Sequence, residues 1–231
     1  MSYTAICSVK GSPGATTTAF ALARHLAASG NEVILADCDR FGGSIGPALE
    51  LPGMPSVRQM AAQVLRQADP SVVRRYAHLA ADRFWVLAGI TSLEQAVALE
   101  HAWPHVADSL AAVSDAKVIV DAGRLPESRS GPGALVRAAQ RLLVVTRATP
   151  VAAVFLAAWG TALRGLGPRC ELVVVDPPKQ ADVDELARTS GFDVAAVLPG
   201  MTVSFELGRA AFIPVKGPYD QAIRTLARSL L

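Results

Sequence analysis

Lys10-Gly11-Ser12-Pro13-Gly14-Ala15-Thr16-Thr17-Thr18 gathers the residue types that can hold a polyphosphate. Its glycines let backbone N–H groups approach an anion closely, and a helix opening at the threonines aims its positive dipole end at the same point. A threonine at such a helix start can ligate magnesium. Read alone, the string is equally an ordinary strand-to-helix turn with a threonine cap, and only its surroundings choose between the two. Carboxylates recur where apolar runs stop: Asp37 and Asp39 close VILADCD, and Asp121 closes KVIVD. Such oxygens suit magnesium, held directly or through water. On an extended segment Asp37 and Asp39 point to opposite sides, so only one of them faces a phosphate. Each aspartate taken singly is also a solvated strand end.

These side chains meet only if the chain delivers several strand ends to one edge. Strand-like runs occur at Thr4–Val9, Glu32–Ala36, Phe84–Leu87, Lys117–Val120, Arg141–Val145, Glu171–Val175 and Val194–Leu198. Helical stretches lie between them at Thr16–Ser29, Thr91–Val113, Val151–Leu163 and Ala181–Thr189. That alternation is the mark of parallel strands joined by right-handed crossovers. We expect an α/β fold, a doubly wound, mostly parallel sheet flanked by helices on both faces, forming one domain over residues 1–231. Phe41–Pro55 is dense in glycine and proline and reads as a loop, placed after the second strand where such sheets bind ligands.

Composition agrees. Of 231 residues, 51% are hydrophobic and 18% charged, enough for strands buried on both faces. A formal net charge of +2 argues against a wholly basic nucleic-acid-binding surface. Cys7, Cys38 and Cys170 form no CxxC pair, which fits a reducing compartment without a disulfide framework or zinc cage. The opening MSYTAICSV reads as a strand rather than a signal peptide, and no apolar run approaches the ~20 residues of a membrane span, so a cytoplasmic location is expected. His101 and His105 stand four apart, but Pro104 between them disturbs the helix and favours surface roles over a metal. Arg58, Arg66, Arg74 and Arg75 read as a solvated helix face before a DNA-phosphate patch. Ile223, Leu226 and Leu230 form one stripe of a last helix that is expected to pack on the core rather than enter a membrane.

The loop resembles the deviant Walker A motif, KGGxGKTT, of the MinD/ParA family, the SIMIBI-class deviant Walker A proteins. Lys10 matches its signature lysine, Gly11 and Gly14 its glycines, and Thr16-Thr17 its hydroxyl pair. Ser12 replaces a glycine, Pro13 fills the variable place, and Ala15 replaces the lysine that reaches the β- and γ-phosphates. The resemblance implies a P-loop NTPase-like fold binding ATP or ADP with Mg2+, both weakened or lost. The missing contact is worth about 1.5–3 kcal/mol. It implies a phosphate cradle of residues 10–17, with Lys10 reaching across a homodimer and Asp39 positioning the attacking water. Thr16 and Asp121 would sit at the metal, Asp121 as the Walker B carboxylate acting through water, and Asp37 would lie near the metal or the dimer contact. DAGRLPE departs from the usual D-x-P-x-G. LLVVTRATPV, with Thr146 and Pro150, matches the VVVT-x-P segment. Asp176 stands where relatives place an adenine-contacting asparagine, and Pro199 matches the proline turn flanking the base. The order of motifs is kept through VLPGMTVSFELGRAAFIPV.

By this resemblance the chain is a positioning or assembly protein with a degenerate Walker A and weak or no hydrolysis, similar to atypical TadZ- and CpaE-like members. It would act through dimerisation and protein partners, recruited to nucleoid, pole or inner membrane surface by DNA or membrane contact. Two alternatives stand beside it: an active ParA-type ATPase cycling on nucleoid DNA or membrane, and a nucleotide-free interaction module.

Overall fold

The computed structural model describes residues 3–9, 13–65, 71–125, 133–200 and 217–231. In chain order the first half comprises β1 (Thr4–Ser8), α1 (Ala15–Ala28), β2 (Val33–Asp37), α2 (Ile45–Ala48), α3 (Val57–Val64), α4 (Ser71–Tyr76), β3 (His78–Ala81), β4 (Phe84–Leu87), α5 (Leu93–Ala98) and α6 (Trp103–Ala111). The second half comprises β5 (Lys117–Arg124), α7 (Gly133–Arg137), β6 (Arg141–Thr146), α8 (Pro150–Arg164), β7 (Arg169–Val175), α9 (Gln180–Ser190), β8 (Val194–Leu198) and α10 (Pro218–Arg228).

Each strand sends alternate side chains to opposite faces, and both faces are covered. Ala5 and Cys7 of β1 join the core beneath α3 to α9, whereas Ile6 joins the one beneath α1, Ile45 of α2 and α10. Ile34 and Ala36 of β2 divide from Val33 and Leu35 in the same way. Burial on both sides is why these strands read as unbroken apolar runs. The resulting order is β3-β4-β2-β5-β1-β6-β7-β8, parallel throughout except for β3 against β4. This is the doubly wound sheet expected, and all seven anticipated strands are in it.

Three departures have local causes. β3 (HLAA) was not anticipated; it is a short edge strand paired antiparallel with β4 alone, and its alternating half-exposed side chains carry little apolar signal. The stretch expected as one helix over Thr91–Val113 divides into α5 and α6, because a turn intervenes and Pro104 must sit in the first turn of a helix. The loop after β2 contains one short helix, α2, whose Ile45 is buried. Helix starts follow capping chemistry: Ser56 and Gln59 form a capping box before α3, and the Thr149 hydroxyl accepts the N–H of Ala152 at 3.2 Å to open α8.

α1 and α10 pack side by side on one face of the sheet, α1 against β1 and β5 and α10 against β8. Ile223 and Leu226 of α10 are buried there, as expected for a core-packing stripe, and buried Asp220 is ringed by His25 (2.8 Å), Arg224 (3.0 Å) and Arg24 (3.9 Å). No helix among the described residues is long and apolar enough to cross a membrane.

Candidate functional site

β1 and β5 lie at the centre of the sheet, and α1 is the next element after β1 in the chain. Gly14 caps that helix with φ 103°, a left-handed conformation. A Cβ built there meets open space, so the cost of any other residue is conformational. The Thr18 hydroxyl donates to the Gly14 carbonyl at 2.9 Å and ties down the first turn. Ala15 is 7% exposed and packs into the core beneath α1, while Thr16 and Thr17 are half-buried. Pro13 is buried. Lys10, Gly11 and Ser12 lie outside the described residues, as do Arg66 and the closing segment 201–216.

The acidic residues converge beside this turn. Asp37 and Asp121 are register partners on β2 and β5, 1% and 0% exposed. Asp37 Oδ2 accepts the N–H of Ile45 at 3.0 Å, and the backbones of Gly43 and Gly89 close over it. Asp121 Oδ1 accepts the N–H of Gly123 at 3.0 Å. Burial raises the Asp37 carboxyl to about 7, with the charge of Asp121 adding to it. Burial likewise raises Asp121 to about 6, opposed by the nearby Thr16 hydroxyl. Even so, Asp37 Oδ1 and Asp121 Oδ2 both lack a partner in hydrogen-bonding geometry. Two orphaned buried carboxylate oxygens beside a threonine hydroxyl are the hard donors a magnesium-like cation takes, so Thr16, Asp37 and Asp121 fit such an ion. Among the described residues, no cluster of three histidine, cysteine or acidic side chains forms a metal site, so the hydroxyl is needed as the third donor.

Asp121 does not end its strand. β5 runs on to Arg124, and between Ile6↔Asp121 and Ser8↔Arg124 the register slips by one extra residue. This bulge contains Gly123 at φ 62°. Bulges re-aim side chains beside functional sites, and here the backbone turns so that its N–H returns to the Asp121 carboxylate. Gly123 also lies against Asp39, since a Cβ on it would stand 2.3 Å from the Asp39 Cγ. Asp39 is held in turn by the N–H of Phe41 at 2.8 Å, and burial raises its pKa. The alternation rule does not reach Asp39, because β2 stops at Asp37 and the chain turns. Gly123→Ala is therefore expected to destabilise the fold by about 1–3 kcal/mol, combining a left-handed alanine with displacement of Asp39. Urea unfolding of both proteins measures it; equal midpoints would contradict the bulge geometry.

On the other side of β1, Asp176 follows β7 and Pro199, half-buried, follows β8. The side chain of Asp176 pairs with Arg147 (Nη1 to Oδ2, 3.3 Å), the residue after β6. Sequence reasoning missed Arg147, as well as Gly43 and Gly89, because nothing in their local sequence marks a contact made across neighbouring strands. His101 and His105 are both exposed, and His101 precedes α6 rather than sharing its face. Arg74 is taken up by Glu32 at 3.3 Å and Asp115 at 3.0 Å and lies over the Trp85 ring.

No protein-family model and no curated protein matches the sequence. Solved structures do match in fold. The septum site-determining protein MinD of Pyrococcus horikoshii, complexed with Mg-ADP, is 19% identical with a TM-score of 0.79, over 99% of this chain and 95% of that one. A ParA family ATPase from Chlorobium tepidum is 15% identical with a TM-score of 0.81, over 98% of each chain. A Cyanothece McdA variant in complex with ATP is 15% identical with a TM-score of 0.70, over 99% of this chain and 95% of that one. At such identities the likeness establishes the fold of MinD- and ParA-type ATPases along nearly the whole chain.

Proposed function

We propose that this chain is a MinD/ParA-like nucleotide-binding positioning or assembly protein whose phosphate loop is degenerate. It binds ATP or ADP with Mg2+ weakly, hydrolyses little or none, and acts as a homodimer, in the manner of TadZ- and CpaE-like proteins. The observation that carries this reading is the meeting of the Gly14–Thr16 helix start with orphaned carboxylate oxygens of Asp37 and Asp121 at one sheet edge. Backbone amides and the dipole of α1 supply anion binding that needs no lysine. Thr16, Asp37 and Asp121 hold the cation, which would neutralise phosphate charge. Pro13, Gly14, Ala15 and Thr17, with Lys10, Gly11 and Ser12, line the phosphates. Asp39 orients water, Lys10 reaches the partner subunit's nucleotide, and Asp176 and Pro199 flank the base. The structures similar in fold include proteins solved with Mg-ADP and with ATP, and a MinC:MinD cell division complex from Aquifex aeolicus, which is consistent with nucleotide and protein partners here.

The loss of one charge-assisted phosphate contact weakens binding while leaving it measurable. Calorimetric titration of the full chain with Mg-ADP and Mg-ATP is expected to give dissociation constants from micromolar to about 1 mM, some −4 kcal/mol at the weak end. Thr16→Ala is expected to remove the Mg2+ dependence. An absence of heat to several millimolar nucleotide would leave only the interaction-module reading. Steady turnover abolished by Asp39→Ala would instead restore the ATPase reading.

A further inference from the structure

Resting on the nucleotide reading above, the far end of the same edge carries a device for choosing the base. We infer that Asp176, held by Arg147, makes this site prefer guanine to adenine nucleotides. The strand order puts β5 and β2, with their aspartates, on one side of β1 and β6, β7 and β8 on the other. A polyphosphate over the turn after β1, with its cation-bearing end toward Asp121, sends its nucleoside toward β6 and β7. Strands lie about 4.8 Å apart, so the end of β7 is about 10 Å from that of β1, the reach of a ribose and base.

Three strand ends meet there around one carboxylate. The Asp176 N–H donates to the Leu198 carbonyl at 2.8 Å, tying the β7 end to β8. Its backbone is left-handed at φ 49°, a conformation that aspartate tolerates better than most side chains. Gly200 comes so close that a Cβ on it would stand 2.4 Å from Asp176 Oδ1, and only glycine leaves the carboxylate room. Arg147 holds Oδ2 from the β6 side. The side chain is still 53% exposed, and a carboxylate has about four lone-pair sites, so the ion pair does not exhaust its capacity to accept.

The bases then differ in what they offer. The pairing edge of guanine carries two adjacent donors, N1–H and N2–H, next to the O6 acceptor. Asp176 accepts from both donors while the Arg147 guanidinium donates to O6. The adenine edge carries one donor and one acceptor, so it makes one bond to each side chain. Guanine gains one further hydrogen bond to a charged acceptor, a difference of about tenfold or more in affinity.

Calorimetric titration of the full chain with Mg-GDP and Mg-ADP tests this directly. The wild type is expected to bind GDP at least about tenfold more tightly. Asp176→Asn exchanges one acceptor for a donor, so it is expected to level the two affinities. It is also expected to improve binding of xanthosine diphosphate over wild type, because xanthine bears a carbonyl where guanine bears its amino group. A merely structural aspartate would not produce that gain. Arg147→Ala is expected to weaken both nucleotides and keep the guanine preference. Equal or tighter ADP binding by the wild type would overturn base selection while leaving nucleotide binding intact; binding of neither nucleotide would remove both. Should Asp176→Asn fail to fold, the wild-type ratio alone decides.

Discussion

Ala15→Lys is expected to tighten Mg-ADP binding about ten- to a hundredfold, the equivalent of roughly 1.5–3 kcal/mol for a restored charge-assisted contact to phosphate. Position 15 is the first residue of α1, directly after the left-handed Gly14, so a lysine here starts at the helix end proposed to face the phosphates. The alanine methyl is 7% exposed, and the longer side chain must extend over the turn with its ammonium in solvent. Lysine ranks only slightly below alanine as a helix former, so the exchange costs α1 little in propensity. Calorimetry against wild type measures the gain, with circular dichroism verifying that both are folded. Unchanged affinity in a folded variant would mean that the turn does not lead to the phosphates.

The second large effect is on stability against pH. Asp37 and Asp121 have folded-state values of about 7 and about 6, raised by burial above the ordinary range near 3.9 of an unfolded chain. For a raised carboxyl, the folded state holds the proton more tightly than the unfolded state does. Its stabilising contribution is complete below the unfolded value and is lost as pH rises through the folded values. Stability is thus expected to fall between about pH 4 and pH 7, by an amount on the order of a few kcal/mol. His25 acts oppositely, because burial lowers its pKa and charging it at low pH is unfavourable. Asp37→Asn separates the two: it stays neutral at every pH, keeps the shape of the side chain, and leaves His25 unchanged. Relative to wild type, the variant is expected to gain stability as pH rises from about 4 to about 7 and to show no further change to pH 8, by urea unfolding in buffers free of divalent cations. Parallel pH curves for the two proteins would show that the buried pair is not the source.

Much of the fold was legible because the strands between two helical layers must be apolar on both faces. That requirement writes runs such as VILAD and RLLVVT, and alanine- and leucine-rich stretches mark the crossovers between them. β3 was not legible: an edge strand with one partner and a half-exposed face needs no such run. The division of α5 from α6 had a sequence cue in Pro104, used only to weigh the two histidines and not to end a helix.

The carboxylates at Asp37, Asp39 and Asp121, the Gly14–Thr18 turn and the absence of a lysine at position 15 belong to the sequence alone, since residue type and short spacing suffice to state them. Tertiary structure decided which of these groups meet. It paired Asp37 with Asp121 across a parallel register, inserted a bulge at Gly123 against Asp39, and set Arg147 beside Asp176 from different strands. The physical reason is range. Chain-local preferences are set by neighbours a few residues away, whereas these contacts join positions brought together only when the sheet closes, and burial in that sheet then moves their protons.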